Sequence, residues 1–120
     1  MCIVGIGNVW GEKYKHITST NELVAGCRYI IASMTDGSGA VMRNYVSDNN
    51  NWGQIETSAT NSYITYQSGM ARLTLGGSSG SWTFHNGAYY LDATKTTDSN
   101  YLKGSTSSTN YSKFSISFSN

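Results

Sequence analysis

Met70-Ala71-Arg72-Leu73-Thr74-Leu75, the glycine-rich Gly76-Gly77-Ser78-Ser79-Gly80, and Ser81-Trp82-Thr83-Phe84-His85-Asn86-Gly87-Ala88-Tyr89-Tyr90-Leu91-Asp92-Ala93 together decide the fold. Ala71, Leu73 and Leu75 recur at every second position, as do Trp82 and Phe84. That is the period of a strand with one face on a core and one in water. Asn86-Gly87 supplies residues tolerant of positive φ between two such runs, which is the strongest short-range hairpin signal. The run Lys113-Phe114-Ser115-Ile116-Ser117-Phe118-Ser119 alternates without a fault and reads as a last strand, with Phe114, Ile116 and Phe118 inward. Nowhere do apolar residues recur at helical spacing over three turns. The chain is therefore expected to be all-β: a single small antiparallel β-barrel or β-trefoil-like domain.

Upstream the same logic gives shorter pieces. Residues 1–11 hold three glycines and no clear period, so they read as an N-terminal arm, with residues 12–120 as a single β-domain. Lys13–Thr18 is a candidate first strand. Ser19 stands three residues before Glu22 in a capping-box pattern, and Gly26 is placed as a stop, so one short helical turn is expected near 19–25. Arg28–Met34 is β-branched and aromatic and reads as one strand covered on both faces. Asp36-Gly37-Ser38-Gly39 is a turn signal leading into a strand over Ala40–Val46. Trp52–Thr57 and Ser62–Gln67 complete the set, on either side of further turn residues. Asn100-Tyr101-Leu102-Lys103 and Asn110-Tyr111-Ser112-Lys113 share Asn-Tyr-x-Lys ten residues apart, close to the length of one strand plus one turn.

Composition narrows the function classes. The chain has 120 residues, a formal net charge of +1 and no proline, and only 12% of its residues are charged. Such a balance disfavours a dedicated nucleic-acid or anionic-membrane binder. No apolar run approaches the roughly 20 residues that cross a bilayer as a helix. Two cysteines, Cys2 and Cys27, are too few for a disulfide framework. Cys27, just before a strand-like run, is expected to be buried as a small hydrophobe rather than bridged to Cys2 in a terminal arm. The first residues lack the basic and long apolar regions of an intact signal peptide. Either the protein is cytosolic or the sequence is a segment of a larger exported one. The surface, rich in Ser, Thr, Asn, Gly and Tyr, is of the kind associated with exported bacterial modules.

The stretch Tyr14–Ala32, with its pattern hydrophobic-Thr-Ser-x-x-Glu-Leu-x-x-Gly-x-x-Tyr-Ile-Ile, resembles the opening of accessory β-domains in large secreted proteins of gut bacteria. Trp82-Thr83-Phe84, Asn86-Gly87-Ala88-Tyr89-Tyr90-Leu91 and Asn100-Tyr101-Leu102 are similar to the same group. The resemblance covers about two thirds of the chain and rests mostly on turn and core residues. It implies a small barrel or trefoil-like module without assigned catalysis, secreted or at the cell surface. Gln54 and Gln67 lack a tryptophan two residues on, so the Gln-x-Trp repeats of ricin-type lectins are absent and their sugar-binding residues do not transfer.

Candidate chemistry is sparse. Gly76-Gly77-Ser78-Ser79-Gly80 satisfies Gly-x-Ser-x-Gly, but a nucleophile elbow requires a helix after the serine, and the following residues alternate like a strand. Gly5-Ile6-Gly7 is followed by Trp10 where a dinucleotide-binding loop needs its third glycine. His16 and His85 have no His or Cys neighbour with metal-ligand spacing, and His85 is expected to face solvent. Asp36 and Asp48 belong to turn sequences. Asp92 and Asp98 flank a loop without the spacing of an EF-hand. No cofactor and no metal are expected.

Tyrosine is the distinctive component: nine Tyr beside three Trp and three Phe. An aromatic face packs against the C–H face of a sugar while short polar neighbours bond the hydroxyls. Trp52 adjoins the Asn-rich loop 48–51, and Tyr89, Tyr90 and Tyr101 surround a polar loop that begins after Asp92. Tyr89 shares a strand face with Leu91 and Tyr90 takes the other, so one of the pair should point outward. The sequence thus points to a non-catalytic binding module with Trp52, Tyr89, Tyr90, Tyr101 and Asp92 as ligand-binding candidates and a glycan or protein surface as partner. Nucleic acid and membrane insertion are not expected. The alternative is a structural or assembly subunit pairing through edge strands or the arm. A small hydrolase ranks third.

Overall fold

The computed structural model describes residues 12–45, 52–93 and 102–118, and over them the protein is all-β. The decisive stretch forms a hairpin. β7 (Leu73–Ser78) and β8 (Ser81–His85) pair antiparallel from Thr74↔His85 to Ser78↔Ser81. Leu73 and Leu75 are fully buried and Phe84 is buried, while Thr74 between the leucines is exposed. The glycine-rich segment is not a break between strands: β7 runs through Gly76 and Gly77, and the turn is confined to Ser79-Gly80. Strand, tight turn and strand leave no elbow in which a serine would be strained.

This hairpin is the middle of a five-stranded sheet ordered β10-β9-β8-β7-β2, built with β2 (Arg28–Tyr29), β9 (Tyr90–Asp92) and β10 (Lys103–Ser105). The Asn86-Gly87 signal does produce the β8–β9 connection, as a four-residue loop rather than a two-residue turn. Asn86 Oδ1 accepts from the amides of Ala88 and Tyr89, at 2.9 and 2.7 Å, and the Asn86 amide donates to the Tyr89 carbonyl. The Asn side chain thereby holds the wider loop closed.

A second, three-stranded sheet is ordered β3-β4-β5, from β3 (Ala32–Thr35), β4 (Ser38–Met42) and β5 (Gln54–Ser58). Asp36 and Gly37 both have positive φ, 52° and 85°, the two-residue geometry that suits an Asp-Gly hairpin. β1 (Lys13–Lys15) and β6 (Tyr63–Thr65) make a separate antiparallel pair.

The expected single strand over 28–34 is split. It pairs with β7 at Arg28–Tyr29, leaves the sheet at Ile30-Ile31, and joins the other sheet as β3. Ile30 and Ile31 are half-buried and Ala32 and Ser33 exposed, so the segment is not covered on both faces. β10 and β2 are the edges of the five-stranded sheet, and no closed ring of strands occurs among the described residues. The three antiparallel sheets are compatible with a small β-sandwich-like domain. Met42 ties the layers, its amide donating to the Ile31 carbonyl and its carbonyl accepting from Ala71. Two apolar clusters result. One gathers Tyr29, Trp52, Leu73, Leu75, Phe84 and Leu91, and the other Val41, Ile64 and Met70.

The helical turn expected near 19–25 is a 3₁₀ turn at Thr20–Glu22 with a capping box between Ser19 and Glu22. A second 3₁₀ turn, Asn110–Ser112, was not legible in the sequence. It occupies one half of the Asn-Tyr-x-Lys echo; of the other half Lys103 opens β10, and Asn100 and Tyr101 lie outside the described residues. The last run keeps its alternation, with Phe114, Ile116 and Phe118 half-buried and Ser115 and Ser117 exposed. Among the described residues it forms no ladder strand, and Phe114 alone of the run bridges, to Trp82. Cys27 is disulfide-bonded, contrary to the reduced state expected, and Cys2, the one other cysteine of the chain, lies outside the described residues. The arm 1–11 lies outside them as well. No helix among the described residues is long and apolar enough to cross a membrane.

Candidate functional site

The five-stranded sheet has two chemically distinct faces, fixed by strand alternation and register. Tyr29, Leu73, Leu75, Phe84 and Leu91 face the core. On the other face, register aligns Arg28, Thr74, His85, Tyr90 and Ser105, one from each strand. Arg28 and Thr74 are exposed, and the other three are half-buried. The His85 and Tyr90 rings are in contact, their centroids 4.4 Å apart and inclined at 54°. The Gly87 amide donates to His85 Nδ1 at 3.1 Å, which makes Nδ1 the acceptor and leaves the ring proton on Nε2. Thr83 stands beside this row on the same face.

At its Arg28 end the row opens into a pocket of about 260 Å³, walled by Arg28, Arg72, Tyr66, Thr74, Asn44 and Asn86. Arg72 lies over the Tyr66 ring at 3.7 Å from its centroid. Its Nε donates to Glu12 Oε2 at 3.1 Å, and Glu12 Oε1 is 3.8 Å from Arg28 Nη2. The Tyr14 hydroxyl also donates to Glu12. Burial first, then that bond and the neighbouring negative charge, push the Tyr14 phenol well above its ordinary value. Asn86 Nδ2 donates to Asn44 Oδ1 at 2.8 Å across the opposite wall.

The ligand-binding candidates separate. Tyr90 is on the outer row and Tyr89 packs inward, as alternation required of the pair. Tyr89 packs against Tyr45 with centroids 4.7 Å apart and the rings inclined at 57°, and Tyr45 lies 5.4 Å from Trp52. Trp52 must be corrected. It is 2% exposed, its indole Nε1 donates to the Lys103 carbonyl at 2.7 Å, and it presents no face to a ligand. The Asn-rich residues 48–51 that suggested a surface position lie outside the described residues. Asp92 is 3% exposed and accepts from Thr109 Oγ1 at 2.8 Å, so its carboxylate is engaged beneath the second 3₁₀ turn rather than displayed. Tyr101 and Asp98 lie outside the described residues. His85 is half-buried against Tyr90 instead of simply facing solvent. No group of three His, Cys, Asp or Glu side chains with the spacing of a metal site occurs among the described residues.

Sequence reasoning missed Arg28, Arg72, Asn44 and Asn86. The alternation that buries Leu73 puts Arg72 and Thr74 outward, and that much was available. Their convergence with Arg28 and Asn44 depends on a sheet order that no local pattern reveals.

A larger cleft of about 770 Å³ lies between the two apolar clusters, lined by Ile17, Ile30, Ile31, Met34, Ile116 and Phe118 among others, with Lys15 and His16 on its wall. Beside it, Ser115–Phe118 make no backbone hydrogen bond to the described residues.

No family model, curated protein or solved structure matches the chain.

Proposed function

We propose that the chain is a non-catalytic binding module of an exported bacterial protein and that it takes a saccharide on the outer face of the five-stranded sheet. The observation that carries this reading is the continuous row Arg28-Thr74-His85-Tyr90-Ser105, with the His85–Tyr90 ring pair at its middle. The rings offer apolar faces to sugar C–H groups, and hydroxyls, the His85 Nε2–H and guanidinium N–H groups surround them. Adjacent strands are about 4.8 Å apart, so Arg28 and Tyr90, three strands apart, span about 14 Å. That suits an elongated ligand lying across the strands. The disulfide at Cys27 supports an oxidising compartment and hence export. The polar composition and the resemblance of residues 14–32 to accessory domains of secreted gut-bacterial proteins support the same setting.

Affinity electrophoresis through gels containing soluble polysaccharides tests the reading. Retardation is expected for at least one polysaccharide, lost in Tyr90→Ala and His85→Ala while both variants melt close to the parent. Retention unchanged in both variants, or no retardation by any of a panel of neutral and acidic polysaccharides, refutes it.

A second reading, association between copies through an open strand edge, draws on the backbone of Ser115–Phe118, which bonds to no backbone among the described residues, beside the apolar cleft. Light scattering decides it: a dimer or larger species supports pairing, and a monomer at all concentrations removes it.

A further inference from the structure

We infer that the bound saccharide carries an acidic group, a carboxylate or sulfate ester, received by Arg28 and Arg72 in the 260 Å³ pocket at the end of the polar row. The inference rests on the proposed reading of that face as a saccharide platform, and adds the charge class of what it binds.

The argument is one of unequal charge and unused donors. Two guanidiniums, 46% and 39% exposed at the side chain, meet one carboxylate, Glu12, and no Asp or Glu is among the lining residues of the pocket. At neutral pH the trio carries one excess positive charge. Glu12 is already accepting from the Tyr14 hydroxyl and from Arg72 Nε, and it approaches Arg28 only to 3.8 Å. A guanidinium has five N–H donors, so Glu12 uses a minority of those the two arginines offer. Stacking on Tyr66 at 3.7 Å fixes the plane of the Arg72 fork, and a fixed fork matches a planar or tetrahedral oxyanion bidentately. Thr74 and Arg28 belong to both the row and the pocket, so a chain of sugars lying on Tyr90 and His85 reaches the arginines by following the register. Asn44 and Asn86 form the far wall and add neutral amides suited to the hydroxyls beside the acidic group.

The test measures the affinity of the purified protein for polygalacturonate as the carboxylate probe, dextran sulfate as the sulfate probe, and dextran and galactan as neutral probes, at low and high salt. At least one acidic probe is expected to bind more tightly than both neutral ones, and which one binds distinguishes the two oxyanions. Arg72→Gln and Arg28→Gln should each weaken that binding about tenfold, the scale of one lost charge-assisted hydrogen bond. Both variants should weaken binding of the acidic probe by a larger factor than binding of the neutral ones. Glu12→Gln, which removes the competing carboxylate, should strengthen it. Lys113→Gln removes an equal charge from an exposed position outside the pocket and should have no effect. Equal affinity for neutral and acidic probes overturns the inference while leaving the saccharide reading intact. So does a loss in Lys113→Gln as large as in Arg72→Gln, the mark of unspecific attraction. Failure of every probe to bind overturns both.

Discussion

Replacing Trp52 by alanine separates a structural tryptophan from a binding one, and the structure sets the size of the effect. The indole is 2% exposed within the larger apolar cluster, and removing a fully buried Trp side chain costs about 3–5 kcal/mol. Two further losses belong to the same site: the Nε1–H bond to the Lys103 carbonyl, and the tilted contact with Tyr45 at 5.4 Å, a kind of pair that contributes about 0.5–1.5 kcal/mol. These overlap with the burial figure rather than adding to it, so about 4–5 kcal/mol is the expected total. Whole-domain stabilities run from about 5 to 15 kcal/mol, and the variant should therefore be close to unfolding. With a urea slope of about 1.5 kcal/mol/M the midpoint should fall by roughly 3 M. Trp52→Phe keeps a ring but not the N–H and should fall between parent and alanine variant. Tyr90→Ala, on the outer row, loses little beyond its contact with His85 and should cost about 1 kcal/mol. Far-UV circular dichroism during urea titration measures all three. If Trp52→Ala unfolds within about 0.3 M of the parent while Tyr90→Ala collapses, the assignment of the two faces is wrong.

Reduction of the protein should lower its stability. If Cys27 bridges to Cys2, the loop is about 25 residues and the chain-entropy relation gives roughly 3.5 kcal/mol, read as a lower urea midpoint in dithiothreitol that Cys27→Ser abolishes as a difference. Glu22 accepts from the backbone amides of Thr18 and Ser19, and these bonds, the first foremost, hold its carboxyl below the ordinary range. A depressed folded value means stability that is present above the ordinary carboxylate range and lost as pH falls through it, so Glu22→Gln should flatten the acid limb of a melting-temperature profile. Tyr14 has the opposite sign. Its folded value is raised, chiefly by burial, so stability is full below the ordinary phenol value of about 10 and declines as pH rises past it; Tyr14→Phe should remove that alkaline decline. At Gly104 a Cβ would stand 2.7 Å from the Tyr45 ring, so Gly104→Ala should displace the Tyr45–Tyr89–Trp52 stack and cost about 1–3 kcal/mol in thermal or urea unfolding.

How far the sequence carried the fold depends on the range of the interaction involved. The β7–β8 hairpin, the Asp36-Gly37 turn and the Ser19–Glu22 capping box are decided within a few residues, and each was legible. Arg28–Met34 was misread because a continuous apolar run has the same local signal whether it stays in one sheet or crosses between two. The pairing of Ala32 with Val41 is a local hairpin, but the pairing of Tyr29 with Leu73, 44 positions on, is not, and it is this distant contact that places the break at Ile30-Ile31. Phe114–Phe118 fails for a related reason. Its alternation is intact and its side chains do turn inward, yet a strand is defined by its partner's backbone, and past Phe114 no described backbone bonds to it.

The same division explains which parts of the candidate site could be read. Alternation on β9 required Tyr89 and Tyr90 to part, and it separated them correctly once the face of Leu91 was known. Trp52 and Asp92 were chosen from neighbours in sequence, Asn-rich or loop-forming, and proximity along the chain says nothing about depth. Arg28 and Arg72, 44 positions apart, converge because β2 lies against β7, and their common carboxylate comes from yet another segment, just before β1. A binding face assembled in this way is as sensitive to strand order as to side-chain identity. Displacing β2 from β7 would leave every residue of the row in place on its own strand and still dismantle the arginine pocket. Substitutions that loosen β2, such as Tyr29→Ala in the core, should therefore weaken ligand binding without touching the ligand, whereas an equally destabilising change at Val41, buried and outside the pocket lining, should not, until the whole domain unfolds.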